Sequence, residues 1–112
     1  MKKIEAIIKP EKLDEVKNAL NSHNIKGITI TQVLGAGNQK GQKQMYRGTE
    51  VSINLLMKIK IEIVVHDESV DELVQVIAKT ANTGNIGDGK IFVSPVDNAY
   101  RVRTGESGDA AL

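Results

Sequence analysis

The chain has 112 residues, short enough for one domain with one modest core. Lys plus Arg number 15 and Asp plus Glu 14, so no net charge demands a nucleic acid partner. There is no cysteine, which excludes a disulfide framework and thiolate chemistry.

Lys3 to Lys9 alternates, with Ile4, Ala6 and Ile8 on one side and Glu5, Ile7 and Lys9 on the other. This predicts a strand with one apolar face. Ile7, on the second face, is free to meet a ligand or another subunit. The start is too short and polar for a signal peptide, and no run is long enough to span a membrane, so a cytoplasmic protein is expected. After Pro10 a helix opens at Glu11 and Lys12. Leu13, Val16 and Leu20 repeat at helical spacing, the acids Glu11, Asp14 and Glu15 suit its start, and Asn24 and Gly27 flank its end. His23 falls in its last turn and reads as a surface or capping residue. His66 lies far from it in sequence, so no zinc spacing arises.

Ile28 to Leu34 predicts a second strand. From Gly35 to about Asn54 the chain is polar, glycine-rich and unpatterned, long enough that a functional loop is expected. Lys58 to Val65 predicts the strongest strand, with Ile59, Ile61 and Ile63 in alternation. Ser69 and Glu72 read as a capping box, and Val70, Leu73, Val74, Ile77, Ala78 and Ala81 as a helical stripe ending near Gly84. Ile91 and Val93 predict a last strand with Phe92 on its other side. Pro95 marks that strand as short, bulged or at an edge.

Between the second helix and the last strand lies Thr83-Gly84-Asn85-Ile86-Gly87-Asp88-Gly89-Lys90. Glycines let backbone N–H groups form a concavity, and Lys90 adds a charge at its rim, which suits phosphate oxygens. Arg101 and Arg103 would point the same way in extended backbone, as an anion clamp would require. Glu106 to Leu112 is small and polar and reads as a mobile tail.

The order strand, helix, strand, long loop, strand, helix, strand is a repeated split β-α-β motif. It gives an α+β, ferredoxin-like fold: a four-stranded antiparallel sheet with two helices on one face. The other face carries Ile7, Val64 and Phe92, so packing against further copies is expected.

Several stretches together resemble the P-II nitrogen-regulatory signal-transduction proteins. These are Met1 to Pro10, Gly35 to Glu50, Lys58 to Val65, Thr83 to Val93 and Arg101 to Gly105. The resemblance implies a homotrimer with inter-subunit clefts that bind ATP or ADP, with Mg²⁺ and 2-oxoglutarate beside ATP. It implies a regulator, not an enzyme. A mobile T-loop at about 36–56 would dock on targets such as an ammonium channel or a nitrogen-assimilation enzyme or regulator, and a flexible tail would occupy about 104–112. Membrane association would come only through a partner. By resemblance Gly87, Asp88, Gly89 and Lys90 hold phosphates, and Arg101 and Arg103 grip them from a neighbouring subunit. Ile7 and Val64 line the adenine pocket, with Thr29 and Glu62 near the nucleoside. Gly35 and Gly37 let the loop base approach the ligand, Gln39 supplies an oxygen to magnesium, and Lys58 pairs with a 2-oxoglutarate carboxylate. The chain departs from the family at Val51, which lacks the hydroxyl of a uridylylated tyrosine. It departs also at Asn38, where arginine is common, and at Met57, where proline is usual. Two alternatives stand beside this reading: an ATP-binding regulator without 2-oxoglutarate sensing, and a small phosphohydrolase on the same fold with Asp88 or Glu62 as base.

Overall fold

A computed structural model describes residues 1–36, 44–46, 49–51 and 55–112. Its main sheet runs in the order β2-β5-β1-β6, all antiparallel, from β1 (Lys2–Ile8), β2 (Thr29–Ala36), β5 (Leu55–Val65) and β6 (Gly89–Pro95). The helices α1 (Leu13–Ser22) and α2 (Val70–Ala81) cover one face. The expected ferredoxin-like architecture is therefore present. Within the stretch expected to be an unpatterned loop, β3 (Gln44–Tyr46) and β4 (Thr49–Val51) pair as a two-stranded ladder. The expectations at Gly37, Asn38 and Gln39 lie outside the described residues.

The alternation in β1 and β5 places Ile4, Ala6, Ile8, Ile59, Ile61, Ile63 and Val65 under the helices, where they are buried with Val16, Leu20, Leu73, Ile77 and Ala81. This is the core, and every member is aliphatic. Among the described residues no polar or charged side chain is fully buried. The outer strands are less covered. Ile30 is 41% exposed and Val93 46%, although both face the helix side. Pro95 lies at the end of an edge strand, where a missing N–H costs no ladder bond.

Both helices are entered by a 3-10 turn, Pro10–Lys12 before α1 and Asp67–Ser69 before α2. Two expectations change in consequence. The first α-helical turn begins at Leu13, not at Glu11. The expected capping box at Ser69 does not form: Ser69 is itself helical (φ −92°, ψ −9°) and its side chain makes no cap. The entry residue is His66, extended at φ −64° and ψ 147°, and its carbonyl accepts from the Ser69 N–H at 3.0 Å.

Of the two residues expected to flank the end of α1, Asn24 takes the left-handed conformation, at φ 62°. The Asn24 N–H donates to Asn21 O and the Ile25 N–H to Leu20 O, both at 3.0 Å, which is a Schellman ending. Ile25 then packs on the core beside Leu20. His23 is exposed in this ending, with Nδ1 3.0 Å from Ala19 O, as its capping assignment requires.

Candidate functional site

The face away from the helices holds the expected site residues in register rows. Thr29, Glu62, Glu5 and Phe92 share one row across the four strands, and Thr31, Lys60, Ile7 and Lys90 share the next but one. Lys3 and Lys60 lie 3.6 and 3.7 Å from the Glu62 carboxylate, and Lys60 lies 3.9 Å from Glu5. The centre of the bare face is thus an ion-pair network flanked by Ile7, Val64 and the half-exposed Phe92.

At the Ile8 end of the sheet sits the glycine turn. Its shape is set by Asp88. The Asp88 carboxylate accepts from the Thr83 N–H at 2.8 Å, the Gly84 N–H at 3.0 Å and the Thr83 hydroxyl. Lys9 Nζ lies 3.2 Å from the same carboxylate and donates to Thr83 Oγ1, also at 3.2 Å. The Thr83 hydroxyl and N–H beside Asp88, with Lys9 assisting, hold its carboxyl far below the usual carboxylate range. Lys58 Nζ, arriving from β5, donates to Gly87 O.

Gly84, Gly87 and Gly89 all have positive φ, at 80°, 91° and 111°. At Gly89 the requirement is absolute. A Cβ there would lie 1.7 Å from the Ile7 carbonyl oxygen. Among the described residues, the N–H groups of Ile86, Gly87 and Asp88 have no protein acceptor. The turn therefore spends its carboxylate inward and leaves backbone donors over, a nest suited to an anion.

One protomer does not bring all the expected site residues together. Ile7, Asp88, Gly89 and Lys90 line a cavity of about 330 Å³ beside the end of α2. Thr29, Glu62 and Val64 line a separate one of about 550 Å³, closed on one side by Ala111 and Leu112. Val64 pairs with Lys3, four residues before Ile7 along β1, so the two are about 13 Å apart along the strand. Gly35 faces Leu56 at the sheet edge, and a Cβ there would meet nothing within 4 Å.

Arg101 and Arg103 stand elsewhere. The extended backbone expected for them is not found. Arg101 begins a turn closed by Gly105 N–H to Arg101 O and Arg101 N–H to Glu106 O, both 2.8 Å, with Tyr100 bridged to Ser107. The left-handed Gly105 and Gly108 allow this curl. Arg101 Nη1 lies 3.6 Å from Glu106. β6 runs from the Ile8 end of β1 to its Lys2 end, so the tail starts about 20 Å from Gly89. The segment expected to be a flexible tail folds back on the residues before it. Gly108–Ala111 forms a 3-10 turn, the Gly108 N–H donates to Ala99 O and Asn98 Oδ1, and Asp109 lies 3.6 Å from His66.

Residues 1–106 match the family of nitrogen regulatory protein P-II. The chain belongs to the P-II family. Its relatives include the nitrogen regulatory protein P-II of Azospirillum brasilense, 55% identical with all of both chains covered. Nitrogen regulatory protein P-II 2 of Methanothermobacter thermautotrophicus is 58% identical over all of this chain and 97% of its own. Nitrogen regulatory protein P-II 1 of Escherichia coli is 56% identical over the full length of both. Among the described residues of this P-II chain, no group of three or more His, Asp or Glu side chains is placed to hold a metal ion, and no helix is long and apolar enough to cross a membrane. Lys9 and Thr83, which build the turn, had no assigned role in the sequence reading. The one available signal was Pro10, which holds the preceding Lys9 extended.

Proposed function

We propose that this P-II chain is a trimeric, cytoplasmic regulator that senses ATP, ADP and 2-oxoglutarate and controls nitrogen-metabolism targets by docking its loop at about 36–56. The observation that carries the reading is the glycine turn, whose Ile86, Gly87 and Asp88 N–H groups have no acceptor among the described residues and lie beside Lys58. Backbone donors with ammonium groups at their rim bind phosphate well. The separation of Ile7 from Val64, and of Gly89 from the start of the tail that carries Arg101 and Arg103, supports a site completed across subunits. One copy would offer the glycine turn, and a neighbour would offer the two arginines.

In this reading Thr29, Glu62 and Val64 receive the nucleoside, and Lys58 meets a carboxylate of 2-oxoglutarate. Mg²⁺, when bound, neutralises phosphate charge and takes oxygen ligands chiefly from the phosphates, with Gln39 as a neutral donor. Lys58 and the turn fit an anion. Asp88 is engaged by Thr83, Gly84 and Lys9, and Glu62 is paired with Lys3 and Lys60, which argues against either as a general base and so against a phosphohydrolase. Val51 offers no hydroxyl for nucleotidylation at that position, and a ligand shifts the loop only by its differential affinity for two states.

Isothermal titration calorimetry tests the reading. ATP with Mg²⁺ is expected to bind, and 2-oxoglutarate to bind only the ATP-loaded protein. Absence of ATP binding overturns it. ATP binding without 2-oxoglutarate binding selects the narrower nucleotide switch.

A further inference from the structure

The glycine turn is held from outside by a residue no phosphate needs to touch. Lys9 follows β1, and Pro10 fixes it in extended backbone (φ −66°, ψ 140°). Its ammonium reaches across to Asp88 Oδ1 and Thr83 Oγ1, each at 3.2 Å. The side chains are mostly withdrawn from water, 18% exposed for Lys9 and 24% for Asp88. Lys9 Cε also lies 3.8 Å from where a Gly87 Cβ would be, so the stem packs against the turn itself. The Asp88 carboxylate in turn draws in the Thr83 and Gly84 N–H groups.

The two ends of the turn are therefore tied to each other and to β1. With the N–H groups of Thr83 and Gly84 turned inward to Asp88, those of Ile86, Gly87 and Asp88 find no acceptor among the described residues and are open to a ligand. We propose that Lys9 is a positioning residue for the phosphate chain of a bound nucleotide, acting through Asp88 and Thr83 and not by contact. This rests on the nucleotide reading above. An anion-binding nest works only if its N–H groups converge before the anion arrives. Removing the Lys9 charge leaves Asp88 without its cation, and the nest loosens.

The substitutions Lys9→Met, which keeps the stem, and Lys9→Arg, which keeps the charge, separate packing from charge. Binding of ATP, ADP and AMP is measured by calorimetry on the full chain, with thermal unfolding alongside. Lys9→Met is expected to weaken ATP and ADP by about tenfold and to change AMP little, the scale of one lost charge-assisted hydrogen bond. Lys9→Arg is expected to recover most of the loss. Asp88→Asn gives a second route to the same effect and serves if Lys9→Met does not fold. In the double variant the two losses should not add, because both break one link. Equal weakening of all three nucleotides, or no weakening in Lys9→Met and Asp88→Asn, overturns the proposal. If the unsubstituted protein binds no nucleotide, the functional reading itself falls, and the positioning role with it.

Discussion

Gly89 and Ile7 approach so closely that no side chain fits between them: a Cβ on Gly89 would stand 1.7 Å from the Ile7 carbonyl oxygen. The contact joins the first residue of β6 to β1 where the glycine turn ends. Gly89→Ala must push the strands apart and adopt φ 111° with a Cβ. The expected cost is about 3 kcal/mol or more, read as a lower urea midpoint at unchanged slope. Gly35→Ala is the contrast, since its Cβ would meet nothing within 4 Å, and its cost should stay within about 0.5 kcal/mol.

Asp88 makes a pH prediction whose sign is fixed. Its folded pKa is lowered, first by the Thr83 hydroxyl. Its contribution is therefore complete above the ordinary carboxylate pKa of about 4 and is lost as the pH falls below it toward the folded value. The native protein and Asp88→Asn should differ in thermal midpoint at neutral pH and converge in strong acid. A difference that stays constant from neutral to strongly acidic pH would remove Asp88 from the account.

Lys58 touches the turn, because its ammonium donates to Gly87 O. Lys58→Ala should therefore abolish 2-oxoglutarate binding and also weaken ATP, though by no more than about tenfold, the scale of one hydrogen bond to a charged group. Sequential calorimetry with ATP and then 2-oxoglutarate reads both. Equal loss of the two ligands would mean that Lys58 serves the turn alone.

At Asn24 the left-handed backbone ends α1. Asn24→Gly removes the strain of a Cβ there and should leave stability equal or slightly raised. Asn24→Ala should cost about 1 kcal/mol. Chemical denaturation of the pair distinguishes a conformational cap from a side-chain contact, which would make glycine the worse substitute.

The sheet, both helices and the buried faces of β1 and β5 were legible because aliphatic residues repeat at two clean periods. The turn was legible in its glycines, three of which take positive φ. Its construction was not. Sequence does not reveal whether a carboxylate such as Asp88 faces a ligand or its own backbone, and Lys9 lies too far along the chain from Thr83 and Asp88 for any local pattern to join them. The parallel aim of Arg101 and Arg103 failed for a local reason, since Gly105 and Gly108 curl the backbone that was taken as extended. The β3–β4 ladder escaped notice because Gln44–Tyr46 and Thr49–Val51 are too short and polar for alternation to register. The Ser69 capping box failed because the helical path already begins at Asp67.

The paired charges of the bare sheet face bear on how a population of variants would behave. Lys3, Glu5, Lys60 and Glu62 form a set of two positive and two negative groups, closed within each copy. Copies that meet through this face need no counter-ion from one another, so their association should tolerate wide changes in ionic strength. The same closure makes inheritance unforgiving. In a symmetric assembly built on this face, a change such as Glu62→Gln would strand Lys3 in every copy at once, and symmetry would multiply one coding error by the number of subunits.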